Sequence, residues 1–228
     1  MATPPDPRLD SIEQMFAPEV WNETMIQAKS QIRKRMKALR GGYSRASLAT
    51  RSQAIVERLL SLDELKQAQS VALFWPMIEQ GEVDLRALDT ALRARGTRLF
   101  YPFMHATDNA SFRTGFALTS SVEELVASAQ GFHQPTSQHA AQPGEIDLVL
   151  VPALAADTRG HRIGYGAGYY DATLSDVCPP GRAWIVAYHF QLLAELPVQS
   201  HDIPCDGIVT DSTIVRAQHE LARAPTLP

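Results

Sequence analysis

The chain is 228 residues long, 45% apolar and 20% charged, with a net charge of −4. That composition excludes disordered, collagen-like and low-complexity classes, and a domain of this length buries roughly 70% of its unfolded surface without staples. Two cysteines, Cys178 and Cys205, without a CxxC pair exclude a disulfide framework and a zinc ribbon; no apolar run approaches the roughly 18 residues of a membrane span; and the near-balanced charge gives no overall drive toward nucleic acid or anionic membrane.

Charge is unevenly spread at the start of the chain. Residues 1–28 carry Asp6, Asp10, Glu13, Glu19 and Glu23 against Arg8 alone. Residues 29–40 carry Lys29, Arg33, Lys34, Arg35, Lys37 and Arg40 with no acid. Acids and prolines stand where a secretory signal needs a basic region and an apolar one, and mitochondrial presequences are poor in acids. The expectation is a cytoplasmic protein with a flexible leader over 1–17, a single domain over 18–220 and a frayed tail over 221–228.

In chain order, Pro18 suits the first turn of a helix that runs to Gly41-Gly42, with Trp21, Met25, Ala28, Ile32, Met36 and Leu39 at helical spacing. A second helix follows Ser44, with Ile55, Val56, Leu59 and Leu60 apolar. VALFWP (71–76) and TRLFYPF (97–103) read as strands. Between them 84–96 reads as a helix with Leu85, Leu88 and Leu92 on one face and Gly96 at its end. Segment 104–146 gives a strand near Phe112–Leu118, a helix near 121–127 and an irregular stretch. DLVLVP (147–152) is apolar on both faces and reads as a buried strand. RAWIVAY (182–188) and GIVT (207–210) are two more. This alternation predicts one three-layer α/β/α domain, a mostly parallel sheet flanked by helices, Rossmann-like without a dinucleotide fingerprint.

The stretch GHRIGYGAGYYD (160–171) carries the strongest chemical signal. Gly160, Gly164, Gly166 and Gly168 free the backbone for close approach, and bare N–H groups at a helix start make an anion site. Arg162 adds a fork suited to phosphate, and Asp171 is placed as a magnesium ligand. The spacing is GxGxG rather than GxGxxG, and no Walker GK[ST] is present. The alternative is a tight turn with Tyr169 and Tyr170 as core. A second signal is the helix face Lys29, Arg33, Lys37, Arg40, which fits a polyanion or is simply solvated. A third is IEQGEVD (78–84) after a strand's carboxyl end, where Glu79, Glu82 and Asp84 compete for any role. Asp202 in SHDIP is a similar case. No HxxxH, HExxH or GxSxG is present, so neither catalytic zinc nor a serine nucleophile is indicated.

Four blocks in order resemble the 5-formyltetrahydrofolate cyclo-ligase (methenyltetrahydrofolate synthetase) family: KSQIRKRMKALR, FWPMIEQGEVD, DLVLVPALAADTRGHRIGYGAGYYD and ELPVQSHDIPCDGIVTD, spanning roughly 25–211. The resemblance implies ATP- and magnesium-dependent closure of 5-formyltetrahydrofolate to 5,10-methenyltetrahydrofolate, with ADP and phosphate released, through phosphorylation of the formyl oxygen. It implies Lys29, Arg33 and Arg162 as catalytic groups. ATP would be held by Lys29, Arg33 and Arg162, and by the loop Gly164, Tyr165, Gly166, Ala167, Gly168, Tyr169 and Tyr170. Met77, Glu82 and Tyr169 would meet the folate, and Asp171 and Asp202 the Mg2+. The departures are a lengthened loop before Glu82 with Glu79 in reserve, Ala167 for the family's Gly or Lys, Ala153 for Gly, and Gln134 where an acid is common. Expected partners are these small molecules, with no membrane, no nucleic acid, and a monomer or weak dimer. The rival reading is a non-catalytic relative binding folate, nucleotide or RNA. A third is an ATP-dependent ligase of similar fold acting on another small amide.

Overall fold

The computed structural model describes residues 17–107, 112–129, 131–137 and 139–217. Apart from Ala17, the expected leader lies outside the described residues, as do 218–220 and the expected tail. Helix α1 (Pro18–Gly41) starts at Pro18 and carries Glu19 in its first turn and Arg40 in its last, each matched to the helix dipole. It stops where expected, although Gly42 keeps right-handed backbone with φ −78. Ser44 caps α2 (Arg45–Ser61) by accepting from the Ser47 N–H, and α3 (Asp63–Gln67) follows.

Strand β1 (Ser70–Ala72) leads through α4 (Arg86–Ala94) to β2 (Arg98–Ala106), a parallel neighbour. The main sheet adds β3 (Phe112–Leu118), β6 (Leu148–Pro152), β9 (Arg182–Val186), β11 (Gly207–Val209) and β12 (Ile214–Arg216). Its order is β12-β11-β9-β6-β1-β2-β3, parallel inside and antiparallel at both edges. The hairpin β4 (Leu125–Ala127) and β5 (His133–Pro135) stands apart as a two-stranded sheet. So does a small sheet of β7 (Ala155–Asp157), β8 (Arg162–Ile163) and β10 (Leu192–Leu193).

Side chains alternate across the buried strands and divide the core in two. Leu148 and Leu150 of β6 and Trp184 of β9 join Ile55 and Leu59 of α2 and Leu88 and Leu92 of α4. Val149, Val151 and Ile185 face the other way, against Leu174 and Val177 of α5 (Tyr169–Val177). This is the expected three-layer sandwich. A third cluster joins Met36 of α1 to Leu154, Ala155, Ile163 and Leu196 at the small sheet.

Three expectations change. The helix near 121–127 is a 3₁₀ turn over Val122–Glu124 running straight into β4. Ser121 caps it as a helix start would be capped, but pairing with His133–Pro135 wins over the local pattern. The VALFWP strand ends at Ala72. Leu73 still donates its N–H to the Phe100 carbonyl at 2.9 Å, then the chain turns away through Pro76 into a 3₁₀ turn at Ile78–Gln80. The buried face of α1 is rotated from the apolar stripe: Leu39 is 41% exposed, whereas Lys29 and Arg40 are buried at 6% and 4%. No helix among the described residues is long and apolar enough to cross a membrane.

Candidate active site

Strand order reverses between β1 and β6, and a cavity of about 770 Å³ opens where Phe74 and Pro152 leave their carboxyl ends. This is the position and size of a small-molecule site in an open α/β sheet. Every residue given a catalytic, binding or metal role above borders it.

One side of the cavity is the glycine loop. It leaves β8 at Ile163 and enters α5 at Tyr169, with Gly168 as N-cap at φ 68. Gly166 has φ 106, and a Cβ there would lie 3.4 Å from the Arg33 guanidinium, so a side chain would both strain the loop and push on Arg33. The loop therefore exposes backbone, as the sequence predicts. Tyr169 and Tyr170 pack on the second core cluster as well as lining the cavity, so part of the core alternative also holds.

All four cations of the predicted α1 face turn toward this region. Lys29 Nζ donates to both Asp202 oxygens, at 2.8 and 2.6 Å. Arg33 Nε donates to the Gly164 carbonyl at 3.0 Å. The Lys37 amine lies 5.0 Å from the centre of the Tyr165 ring, and Arg40 Nη2 donates to the Tyr165 hydroxyl at 2.6 Å. The solvated-face alternative fails for Lys29, Arg33 and Arg40 but holds in part for Lys37, which is exposed like Lys34 and Arg35. Arg162 is arranged differently from a free phosphate fork. Its Nη1 donates to the Ile203 carbonyl at 2.6 Å and its Nη2 to Asp171 Oδ1 at 2.7 Å.

The other side is apolar and aromatic: Phe74, Trp75, Met77, Met104 and Phe132. Met77 is among the expected residues; Trp75 lies in the FWPMIEQGEVD block with no role assigned to it, and Met104, Phe132 and His133 lie in no motif. Phe132 and His133 arrive on the β4–β5 hairpin, from the segment whose sequence gives no periodic signal. Gln134 is buried behind them and accepts from the Met104 N–H at 3.0 Å, an amide doing backbone work.

Glu82 is the acid on this side. Burial pushes its carboxyl above the usual range, and the Met77 N–H at 2.8 Å, the Tyr165 hydroxyl and the Arg40 charge pull the other way. Glu79 is an exposed surface acid on Arg45, outside the cavity lining, and Asp84 pairs with Arg86.

Two further acids face the glycine-loop side. Asp171 Oδ1 accepts from Arg162 and from the N–H of Ile203, the residue after Asp202, at 3.4 Å; its Oδ2 has no hydrogen-bond donor among the described residues. Asp202 Oδ2 also accepts from the Gln199 N–H at 2.8 Å. No cluster of three or more His, Cys, Asp or Glu side chains suits a metal among the described residues. An all-oxygen pair of carboxylates fits magnesium only as a partial shell, completed by phosphate oxygens and water.

The whole span from residue 25 to 211 matches the model of the 5-formyltetrahydrofolate cyclo-ligase family. Among curated relatives, 5-formyltetrahydrofolate cyclo-ligase of Haemophilus influenzae is 25% identical, covering 80% of this chain and 97% of its own. That of Escherichia coli K12 is 28% identical, covering 71% and 88%. The NMR structure of 5,10-methenyltetrahydrofolate synthetase from Aquifex aeolicus superposes with a TM-score of 0.71 at 32% identity, over 83% of this chain and 93% of that one. The Mycoplasma pneumoniae synthetase shares the fold, with a TM-score of 0.62 at 22% identity, over 80% and 98%. With its four motif blocks folded around one cavity and its matched span covering most of the length, this chain belongs to the 5-formyltetrahydrofolate cyclo-ligase family.

Proposed function

We propose that the cavity closes 5-formyltetrahydrofolate to 5,10-methenyltetrahydrofolate, using magnesium-bound ATP. The observation that carries this is the cavity's two-sided chemistry. Cations and bare backbone suit a triphosphate, and an aromatic wall with one buried acid suits a flat heterocycle with N–H groups.

A formyl oxygen on N5 is a poor leaving group. Its attack on the γ-phosphorus of ATP releases ADP and leaves an N5-iminium phosphate. N10 then attacks the formyl carbon, the C–O bond breaks, phosphate carries the oxygen away and N10 loses its proton. These steps call for no nucleophile from the protein, so its work is positioning and charge neutralisation. Lys29 and Arg33 are placed to neutralise phosphate oxygens, and the loop 164–168 to offer backbone N–H groups. Lys29 must exchange Asp202 for phosphate to do so. Asp202, released by that exchange, and Asp171 would hold magnesium, whose positive charge would offset the charge on the phosphoryl oxygens. Arg162 fixes Asp171 from behind. Glu82 accepts hydrogen bonds from the pterin edge while Met77 and Trp75 cover its face. A solution of the purified protein, ATP, magnesium and 5-formyltetrahydrofolate should gain the near-ultraviolet absorbance of the methenyl product. No gain, with both ligands binding, would leave the non-catalytic reading in its place.

A further inference from the structure

Resting on that reading of Glu82, we infer that Arg40 is a positioning residue for the folate-binding carboxylate, acting through Tyr165. Arg40 does not border the cavity, whereas Tyr165 and Glu82 both do. Its guanidinium has only donors, so in the 2.6 Å contact the Tyr165 oxygen must be the acceptor. The Tyr165 proton is then directed elsewhere, and Glu82 faces the same hydroxyl. Burial and the Glu82 charge push the Tyr165 hydroxyl up, so it keeps that proton to donate. Arg40 thus holds the Tyr165 oxygen and leaves the Tyr165 proton for the neighbouring Glu82, whose other lone pairs stay available for substrate N–H groups.

The backbone is shaped for this contact. Gly81, next to Glu82, has φ 69, and a Cβ there would lie 3.4 Å from Arg40 Cγ and 3.0 Å from Leu48 Cδ1. Arg40 is thus laid along the turn that presents Glu82. The other groups turned toward Glu82 are the Met77 N–H and Tyr170, and Lys37 sits over Tyr165. A purely structural Arg40 would only complement the last turn of α1.

The test compares Arg40→Gln, Arg40→Lys, Tyr165→Phe and the Arg40→Gln/Tyr165→Phe double variant. Arg40→Gln should raise KM for 5-formyltetrahydrofolate about tenfold, the loss expected for a charge-assisted contact, with KM for ATP changed less than about twofold. Its acid limb of kcat/KM for folate should move to higher pH, because the Tyr165 hydroxyl, no longer held by Arg40, donates less strongly to the ionised form of Glu82. Arg40→Lys should restore part of both. The double variant should lose no more than Tyr165→Phe alone. In the ligand-free protein, the carboxyl ¹³C titration of Glu82 should move upward in Arg40→Gln. That measurement needs no turnover, so it separates this inference from the assigned reaction, which native activity alone decides. If Arg40→Gln does not fold, Tyr165→Phe and Arg40→Lys carry the same two readouts. An unmoved Glu82 titration, equal rises in both Michaelis constants, or additive losses in the double variant would overturn the inference.

Discussion

Lys29 and Arg33 are one turn apart on α1, yet one holds a charged carboxylate and the other a neutral backbone carbonyl. Arg33 lies along the glycine loop, so removing it would take away both the proposed phosphate donor and a loop support. Arg33→Ala should therefore raise KM for ATP about tenfold to a hundredfold, from a lost charge-assisted bond. Lys34→Ala, on the exposed side of the same turn, should change it less than twofold in steady-state assays (about 0.5 kcal/mol or less). The same contrast separates two acids of one loop. Glu82→Gln should weaken folate binding measured by calorimetry while ATP binding stays nearly intact. Glu79→Gln, on a solvent-exposed ion pair with Arg45, should weaken neither. A loss at Glu79 instead would show that the lengthened loop presents the other carboxylate. The strand-end position marked Glu79, Glu82 and Asp84 alike, and only the family resemblance pointed to Glu82. Its burial and its place beside Tyr165 and Arg40 were not legible, since those neighbours lie far from it in sequence.

At the scale of elements, the first helix shows where sequence patterning stops. Its limits, its start at Pro18 and its basic face all follow from local rules. Which face is buried does not, because a face that closes over charged partners in a cavity has no apolar signature. Thus Leu39 fits the apolar spacing and is exposed, while Lys29 and Arg40 are buried against Asp202 and Tyr165. The buried strands β6 and β9 were readable for the opposite reason, being apolar on both faces. The hairpin β4–β5 was not, because its strands are three residues each and take their identity from each other. The rotation of α1 can be checked by chemical denaturation. Met36→Ala removes a side chain from the third core cluster and should cost about 2–4 kcal/mol. Leu39→Lys should stay within about 0.5 kcal/mol of the native protein. Comparable losses at the two positions would mean that the helix is turned differently.

Over the whole molecule, the N-terminal helix meets the C-terminal loop through Lys29 on Asp202, through Asn22, which accepts from the Gln199 amide, and through Met36 packed with Leu196; the Lys29–Asp202 pair is the charged link among these. The two are 173 residues apart in sequence and nearly buried, with side-chain exposures of 8% and 12%. A buried pair broken on one side leaves the other charge uncompensated. Asp202→Asn should therefore lower the Tm of the ligand-free protein. Ligand binding adds stability by mass action, about 2.7 kcal/mol at a hundred times Kd. In the native protein, metal-free ATP must compete with Asp202 for Lys29; in Asp202→Asn it does not. Metal-free ATP should raise Tm more in the variant than in the native protein. Adding magnesium should reverse the order, because only the native protein then has Asp202 free to join Asp171 around the metal. Asp171→Asn should show the magnesium defect without the gain for metal-free ATP, since its cation, Arg162, is also held by the Ile203 carbonyl. Equal thermal shifts in all three proteins, with and without magnesium, would mean that Lys29 stays on Asp202 throughout and that neither carboxylate takes part in nucleotide binding.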